Sequence, residues 1–257
     1  MFTLPHFIWL AVCALFIALS LFLLLKYKVK FDKVVDILFV IAVVCEVVKI
    51  LTQVKMLPNE DGFYYPYVRM DLLPFNLCTI QIALIAYLKF TKDKVKHTTL
   101  LGFMFPSCFL GALLAILMPT IFSEGIHPYK HIISYEFFLY HACLVIFGLY
   151  IPLCKQVEIT HKNYFKTIAV ILVLGFISLY FNAMFSIVDF EKMEYISITN
   201  FLFTYDNPLG IKMTELWHWY LYLVIIFSAV FILIGLTYVP YFIKHFKDKK
   251  QLVNIKE

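Results

Sequence analysis

Apolar residues fall along this chain in seven long blocks, at about 7–26, 34–54, 72–89, 99–122, 132–154, 166–188 and 215–241, separated by shorter polar segments. A hydrocarbon core about 30 Å thick takes roughly 20 apolar residues in a helix, so each block is long enough to cross a membrane. The blocks are continuous and lack the ten-residue alternation of a barrel strand, which argues against strands. The pattern predicts an all-α polytopic membrane protein, a single domain over 1–257 built as a bundle of seven transmembrane helices. The opening "MFTLPHFIWLAVCALF" has neither the basic start nor the small-residue cleavage site of a signal peptide, so it is read as the first helix.

Composition agrees, with 62% of the 257 residues hydrophobic and only 15% charged, well beyond an ordinary soluble domain. The lysines then orient the bundle. One alternate set of loops carries sixteen basic residues, in "KYKVKFDK", in "KFTKDKVK", at Lys155, Lys162 and Lys166, and in the C-terminal tail. The other set has five, Lys55, Arg69, Lys130, Lys192 and Lys212, together with Asp61, Glu124, Asp189 and Glu191. Basic loops stay on the cytoplasmic side, so the N-terminus is expected outside, the C-terminus inside, and the chain in the cell membrane. Topology thus accounts for the net charge of +5, and no nucleic-acid partner is implied. The basic tail reads as an anchor on an anionic leaflet, and the outer connection from 189 to 214 is long enough to fold over the bundle as a lid.

Depth along each helix, at about 1.5 Å per residue, gathers the polar residues on one side. Glu46 and Lys49 fall roughly 12 and 7 Å below the outer surface, and Cys78 and Gln81 about 10 and 15 Å, with Asn76 above them. Glu136, His141, Asn182 and His218 fall at roughly 6, 14, 8 and 6 Å. Ionisable side chains in hydrocarbon are costly and usually face a partner or a wet cavity, so the layer suggests a cavity open to the outside. Glu46 and Lys49, three apart on one face, can pair. Asn182 shares a stripe with Ser178 and Ser186, and such polar stripes often only hold helices together. Ser107, Gly111 and Ala115 recur every four residues and read as close packing. Pro74 fits a first helical turn.

All six cysteines lie within the apolar blocks, without CxxC spacing, so disulfides and zinc fingers are not expected. Cys13, Cys45, Cys108, Cys143 and Cys154 read as apolar fillers. Cys78 differs in its polar company. A thiol attacks as thiolate and needs a base, and His141 and His218 are the histidines inside blocks at its level. Glu46, Glu136, His141 and His218 offer a zinc-type donor set, but no HxxxH or HExxH spacing supports it, and no metal or other cofactor is expected. His6, His97, His127, His131, His161 and His245 lie at block borders and read as interfacial. Helix seven has no lysine between Lys212 and Lys244 for a retinal-type Schiff base.

These motifs resemble the YwaF-type family of bacterial integral membrane proteins, whose eukaryotic relatives are called transmembrane protein 164. "LPFNLC" at 73–78 is similar to the family's LPLHLC, "GALLAILMP" at 111–119 to GALxALLTP, and "FFLYH" at 137–141 to its phenylalanine pair and histidine. Glu46 and Asn182 match a helix-two glutamate and a helix-six asparagine. "NFLFTYDNP", opening at Asn200, resembles the NYxxLxxxP loop, and "HWY" at 218–220 the final PWY. For the eukaryotic branch the resemblance implies fatty acyl transfer between phospholipids, with the motif cysteine, here Cys78, as the key residue. The family's histidine two residues earlier is Asn76 in this chain; two helical residues point about 200° apart, so that position is not the direct base.

The reading is therefore a membrane acyl-transfer enzyme or acyl hydrolase acting on lipids, with Cys78 as nucleophile and His141 as base. Glu46, Lys49, Asn76, Gln81, Asn182, Asn200 and His218 are its candidate substrate contacts. The alternatives are a non-catalytic solute or lipid binder or transporter using Glu46 and Lys49, and an assembly factor in which the polar layer is helix glue.

Overall fold

The computed structural model describes residues 3–91, 98–119, 121, 126–157, 159–189, 194–197, 199–205 and 213–254. Among these residues eight α-helices run in chain order: α1 (Leu4–Lys26), α2 (Phe31–Gln53), α3 (Leu77–Phe90), α4 (Thr98–Pro106), α5 (Ala112–Leu117), α6 (Ile132–Leu153), α7 (His161–Met184) and α8 (Leu216–Asn254). Among the described residues, five helical stretches are long and apolar enough to cross a membrane. These are α1, the continuous Thr98–Leu117 stretch, α6, α7 and Leu216–Lys244 of α8. Helix α2 matches them in length but carries Asp32, Lys33, Asp36, Glu46 and Lys49, and α3 is shorter, at 14 residues. Lys192, Lys212, Glu124 and Glu191 of the loop-charge argument lie outside the described residues.

Helix α6 is the hub. It packs against α1, α2, α4 and α5, and 67% of its apolar stretch is enclosed, against 6% for α1 and 11% for α8. The outer two therefore present apolar surface such as Leu15, Leu19, Val224 and Ile225, as helices facing lipid do. Gly148 permits close backbone packing, because a Cβ there would stand 2.6 Å from the backbone nitrogen of Phe109.

A π-turn at Ser107–Gly111 joins α4 to α5, and Pro106 explains it. Proline offers no N–H to the carbonyl four residues back and crowds it. That carbonyl, Gly102, accepts instead from the hydroxyls of Thr167 and Tyr238, at 3.2 and 3.3 Å. The displaced turn swings Ser107 and Cys108 toward α3.

Two antiparallel ribbons were not anticipated by the helical pattern. β1 (Lys55–Pro58) pairs with β2 (Tyr64–Tyr67), turning at Gly62 in the left-handed region (φ 80). β3 (Ser186–Asp189) pairs with β4 (Glu194–Ser197). Both follow long helices. The first lies between apolar blocks, where period-3.6 reasoning carries no information, and the second begins inside the 166–188 block, whose last three residues are strand and not helix.

The third block also begins later than its apolarity suggests. A 3-10 turn at Met70–Leu72 precedes it, Leu73 is extended (ψ 147) as residues before proline are, and α3 opens only after Asn76. Pro74 thus stands before the helix and not in its first turn. His6, expected at a border, is fully enclosed, with Nε2 at 3.0 Å from the Ile116 carbonyl; it ties α1 to the end of α5.

Candidate functional site

Cys78 is the second residue of α3 and is half-buried. The Tyr140 hydroxyl reaches across from α6 and donates to the Cys78 carbonyl at 2.8 Å. One turn along α3, Gln81 is fully enclosed. Its Nε2 donates to Ser107 Oγ at 3.1 Å and to the Leu77 carbonyl at 3.3 Å, while its Oε1 accepts from Cys108 Sγ at 3.2 Å. Ser107 passes its own proton to the Phe103 carbonyl at 2.7 Å. The first turns of α3 are therefore held on two sides, by α6 and by the π-turn.

Glu46 and Lys49 form an ion pair at 2.7 Å on α2, with side chains 22% and 14% exposed. Helices α2 and α3 are antiparallel neighbours, and a bridge from Lys89 to Asp36 at 3.3 Å sets their register. Eleven residues along α3 from Lys89 stands Cys78, and eleven along α2 from Asp36 stands Val47. Cys78 is thus level with the Glu46–Lys49 pair. Glu136 lies within electrostatic reach of both members of the pair, Tyr140 within reach of Glu46, and His141 within reach of Lys49.

His141 lies 2.7 Å, through Nδ1, from the carbonyl of Phe137 in the preceding turn. Carbonyls only accept, so Nδ1 carries the proton and Nε2 presents its lone pair. The side chain that α6 brings to Cys78 by a hydrogen bond is Tyr140, the residue before this histidine.

Asn182 serves a different place. Its amide donates to the Phe201 carbonyl and to Thr204 Oγ1, and its oxygen accepts from Thr199 Oγ1 and the Phe201 N–H, all within 3.1 Å. An asparagine side chain has two donors and two lone pairs, and all four are used in holding the 199–205 turn. Thr204 also meets Ser178 at 3.0 Å, and Trp219 and Tyr222 of α8 donate to the carbonyls of Thr204 and Phe203. Asn200 accepts from the Tyr205 N–H at 3.1 Å. This turn adjoins the cysteine end of α3, because Phe75 stacks on Phe181 (centroids 4.1 Å apart) and meets Phe201 edge-on (5.5 Å).

His218 caps α8, with Nδ1 accepting from the Glu215 N–H at 3.2 Å and its ring against Trp217. Asn76 is exposed, and its carbonyl accepts from Ile80 and Thr79. The layer expected from depth thus divides into three groups. Cys78, Gln81, Glu46, Lys49 and His141 stand around α2, α3 and α6; Asn182 and Asn200 hold the turn; His218 begins α8. Among the described residues, no three His, Cys, Asp or Glu side chains converge as metal ligands would.

Sequence reasoning did not single out Tyr140, and it read Ser107 as close packing and Cys108 as an apolar filler, whereas both bond Gln81. For Tyr140 a signal existed, since it stands four residues from Glu136 and so shares its face of α6. Ser107 and Cys108 had none, because only the π-turn aims them at Gln81.

The model of the TMEM164 family matches residues 1–238, from the first helix through most of the last. The chain belongs to the TMEM164 family. The matched stretch takes in the whole Cys78 group and the Asn182 turn of this TMEM164-family chain. No curated protein and no solved structure matches the chain.

Proposed function

We propose that this chain, a YwaF-type bacterial member of its family, is an acyl-transfer enzyme of the cell membrane that acts on phospholipids through Cys78. The reading takes α2 and α3 as spans beside the five long helices, giving seven, with the N-terminus outside as the lysine distribution implies. Helix α3, with 14 residues, is about 21 Å long, short of the roughly 30 Å hydrocarbon core. Its first turn then lies inside the membrane, below the outer surface. Non-helical backbone at such depth is stable only where it lines protein or a wet cavity, and residues 73–76 are non-helical. The observation that carries the reading is a half-buried thiol in the first turn of this short helix, level with the Glu46–Lys49 pair.

In this mechanism Cys78 Sγ attacks the ester carbonyl of a donor phospholipid as His141 Nε2 takes the thiol proton. The carbonyl–oxygen bond to glycerol breaks, the departing oxygen receives that proton, and an acyl thioester remains on Cys78. An acceptor hydroxyl then attacks the thioester, gives its proton to Nε2 and thence to the leaving sulfur, and carries the acyl chain away. Unpaired N–H groups in the first turn of α3, with the Asn76 amide, steady the tetrahedral oxyanion. Glu46 and Lys49 orient the polar head. Asn182 and Asn200 shape the turn beside the entrance, and His218 supports α8. A Cys78→Ala chain that folds is expected to form no hydroxylamine-sensitive acyl adduct and no lysophospholipid; undiminished turnover defeats the reading.

The Glu46–Lys49–Glu136 group favours a second reading, a solute or lipid carrier with its site at that level. Vesicle uptake that survives Cys78→Ala and disappears in Glu46→Gln would select it.

A further inference from the structure

At the opposite end of the helices from Cys78 lies a second lipid-compatible feature. Helices α1 and α2 are joined by a four-residue connection, yet each packs chiefly on α6. They splay, and leave a cleft of about 300 Å³ between them and α6. Its walls include Phe16, Leu23, Val34, Leu38, Ile146 and Phe147, with the hydroxyls of Ser20 and Tyr27 as minor polar elements. Apolar cavities of this kind do not hold water, and an unfilled gap forfeits dispersion contacts on every wall. A flexible hydrocarbon chain from the surrounding bilayer satisfies both conditions.

Charge selects among the lipids that could supply that chain. Tyr27 and Val29 line the cleft, and Lys26, Lys28 and Lys30, all exposed, alternate with them. Lys33 follows in the first turn of α2. Lys26 lies 5.5 and 5.8 Å from the ring centroids of Phe22 and Tyr27, which holds its ammonium over the apolar wall. The acids nearby are Asp32 and Asp36, and Asp36 is bridged to Lys89. The connection itself is held by Tyr150, whose hydroxyl donates to the Val29 carbonyl at 2.5 Å.

We infer that the α1–α2–α6 cleft binds one acyl chain of an anionic phospholipid, whose phosphate is held by Lys26, Lys28 and Lys30. This site is separate from Cys78 and does not rest on acyl transfer. The lipid chain fills the gap between α1 and α2, both of which pack on α6.

The full chain, purified in detergent and supplied with phosphatidylglycerol or phosphatidylcholine, tests this by native mass spectrometry. One phosphatidylglycerol is expected to be retained with a preference of at least about tenfold, because each of the three lysines near an anionic group contributes up to several-fold. Lys26→Gln/Lys28→Gln/Lys30→Gln is expected to bind both lipids equally and weakly. Ser20→Phe, at a half-buried lining position, fills the cleft and is expected to retain neither. Equal retention of the two lipids by the unaltered chain, or an unchanged preference in the lysine variant, overturns the inference. Should Ser20→Phe fail to fold, the lysine variant still decides. Because the readout is lipid retention at the lysine cluster and not turnover, failure here and failure of the acyl-transfer reading are distinguishable.

Discussion

The Tyr140 hydroxyl donates to the Cys78 carbonyl at 2.8 Å, fixing the first turn of α3 against α6, the most enclosed of the five long apolar stretches among the described residues. With the bonds from Gln81 to the π-turn, it sets where the thiol stands. Tyr140→Phe keeps the ring and removes the bond. It is expected to cost about 1 kcal/mol of stability and to lower turnover at Cys78 several-fold while leaving lipid binding nearly unchanged. Comparing kcat with KM for the two proteins checks it.

Asn182 predicts a larger structural effect. Asn182→Ala removes four buried hydrogen bonds that hold the 199–205 turn and takes its acceptor from the Phe201 N–H. Orphaned buried groups cost about 1 to 3 kcal/mol each, and Thr204 keeps its bonds to Ser178 and to the Phe201 carbonyl. A loss of about 3 kcal/mol and rapid proteolytic nicking within 199–205 are expected, read by thermal unfolding and limited proteolysis. The turn needs this support, because Leu202 and Phe203 both stand in the left-handed region (φ 54 and 55), a strained choice for side-chain-bearing residues.

The Glu46–Lys49 pair gives a cycle. Lys49→Met alone leaves a carboxylate without its cation in a low-dielectric layer and is expected to destabilise by about 3 kcal/mol. Adding Glu46→Gln should restore most of that loss. Thermal melts of the two single variants and the double variant test the coupling.

Gly148 supplies a packing test. A methyl there would stand 2.6 Å from the Phe109 nitrogen and 2.9 Å from the Phe105 carbonyl, both backbone atoms that cannot rotate away. Gly148→Ala is expected to cost about 2 to 3 kcal/mol. Gly235→Ala, whose Cβ would meet nothing nearer than 3.8 Å, should be neutral or slightly stabilising in its helix.

Much of the fold was readable because lipid imposes simple rules: long apolar runs become helices, and each of the five stretches able to cross a membrane grew from an apolar block, although α7 starts five residues before its block and α8 runs past the block's end at 241 to Asn254. The Glu46–Lys49 pair was equally legible, since three-residue spacing on a helix needs no tertiary knowledge. Other features depended on contacts between distant segments. Pro106 announced a bend, but the π-turn that delivers Ser107 and Cys108 to Gln81 follows from Thr167 and Tyr238 satisfying Gly102, more than sixty residues away. Depth placed Asn182 and His218 near Cys78 in height and said nothing of azimuth. The structure turns Asn182 toward the 199–205 turn and His218 toward its own helix start.

The most direct test of the central claim is mass spectrometry of the intact protein after incubation with a phospholipid bearing a defined acyl chain, before and after hydroxylamine. The account predicts a mass increase of one acyl group, mapped to Cys78, removed by hydroxylamine and absent in Cys78→Ser. Turnover of the same lipid by the Cys78→Ser protein at the unaltered rate would contradict it.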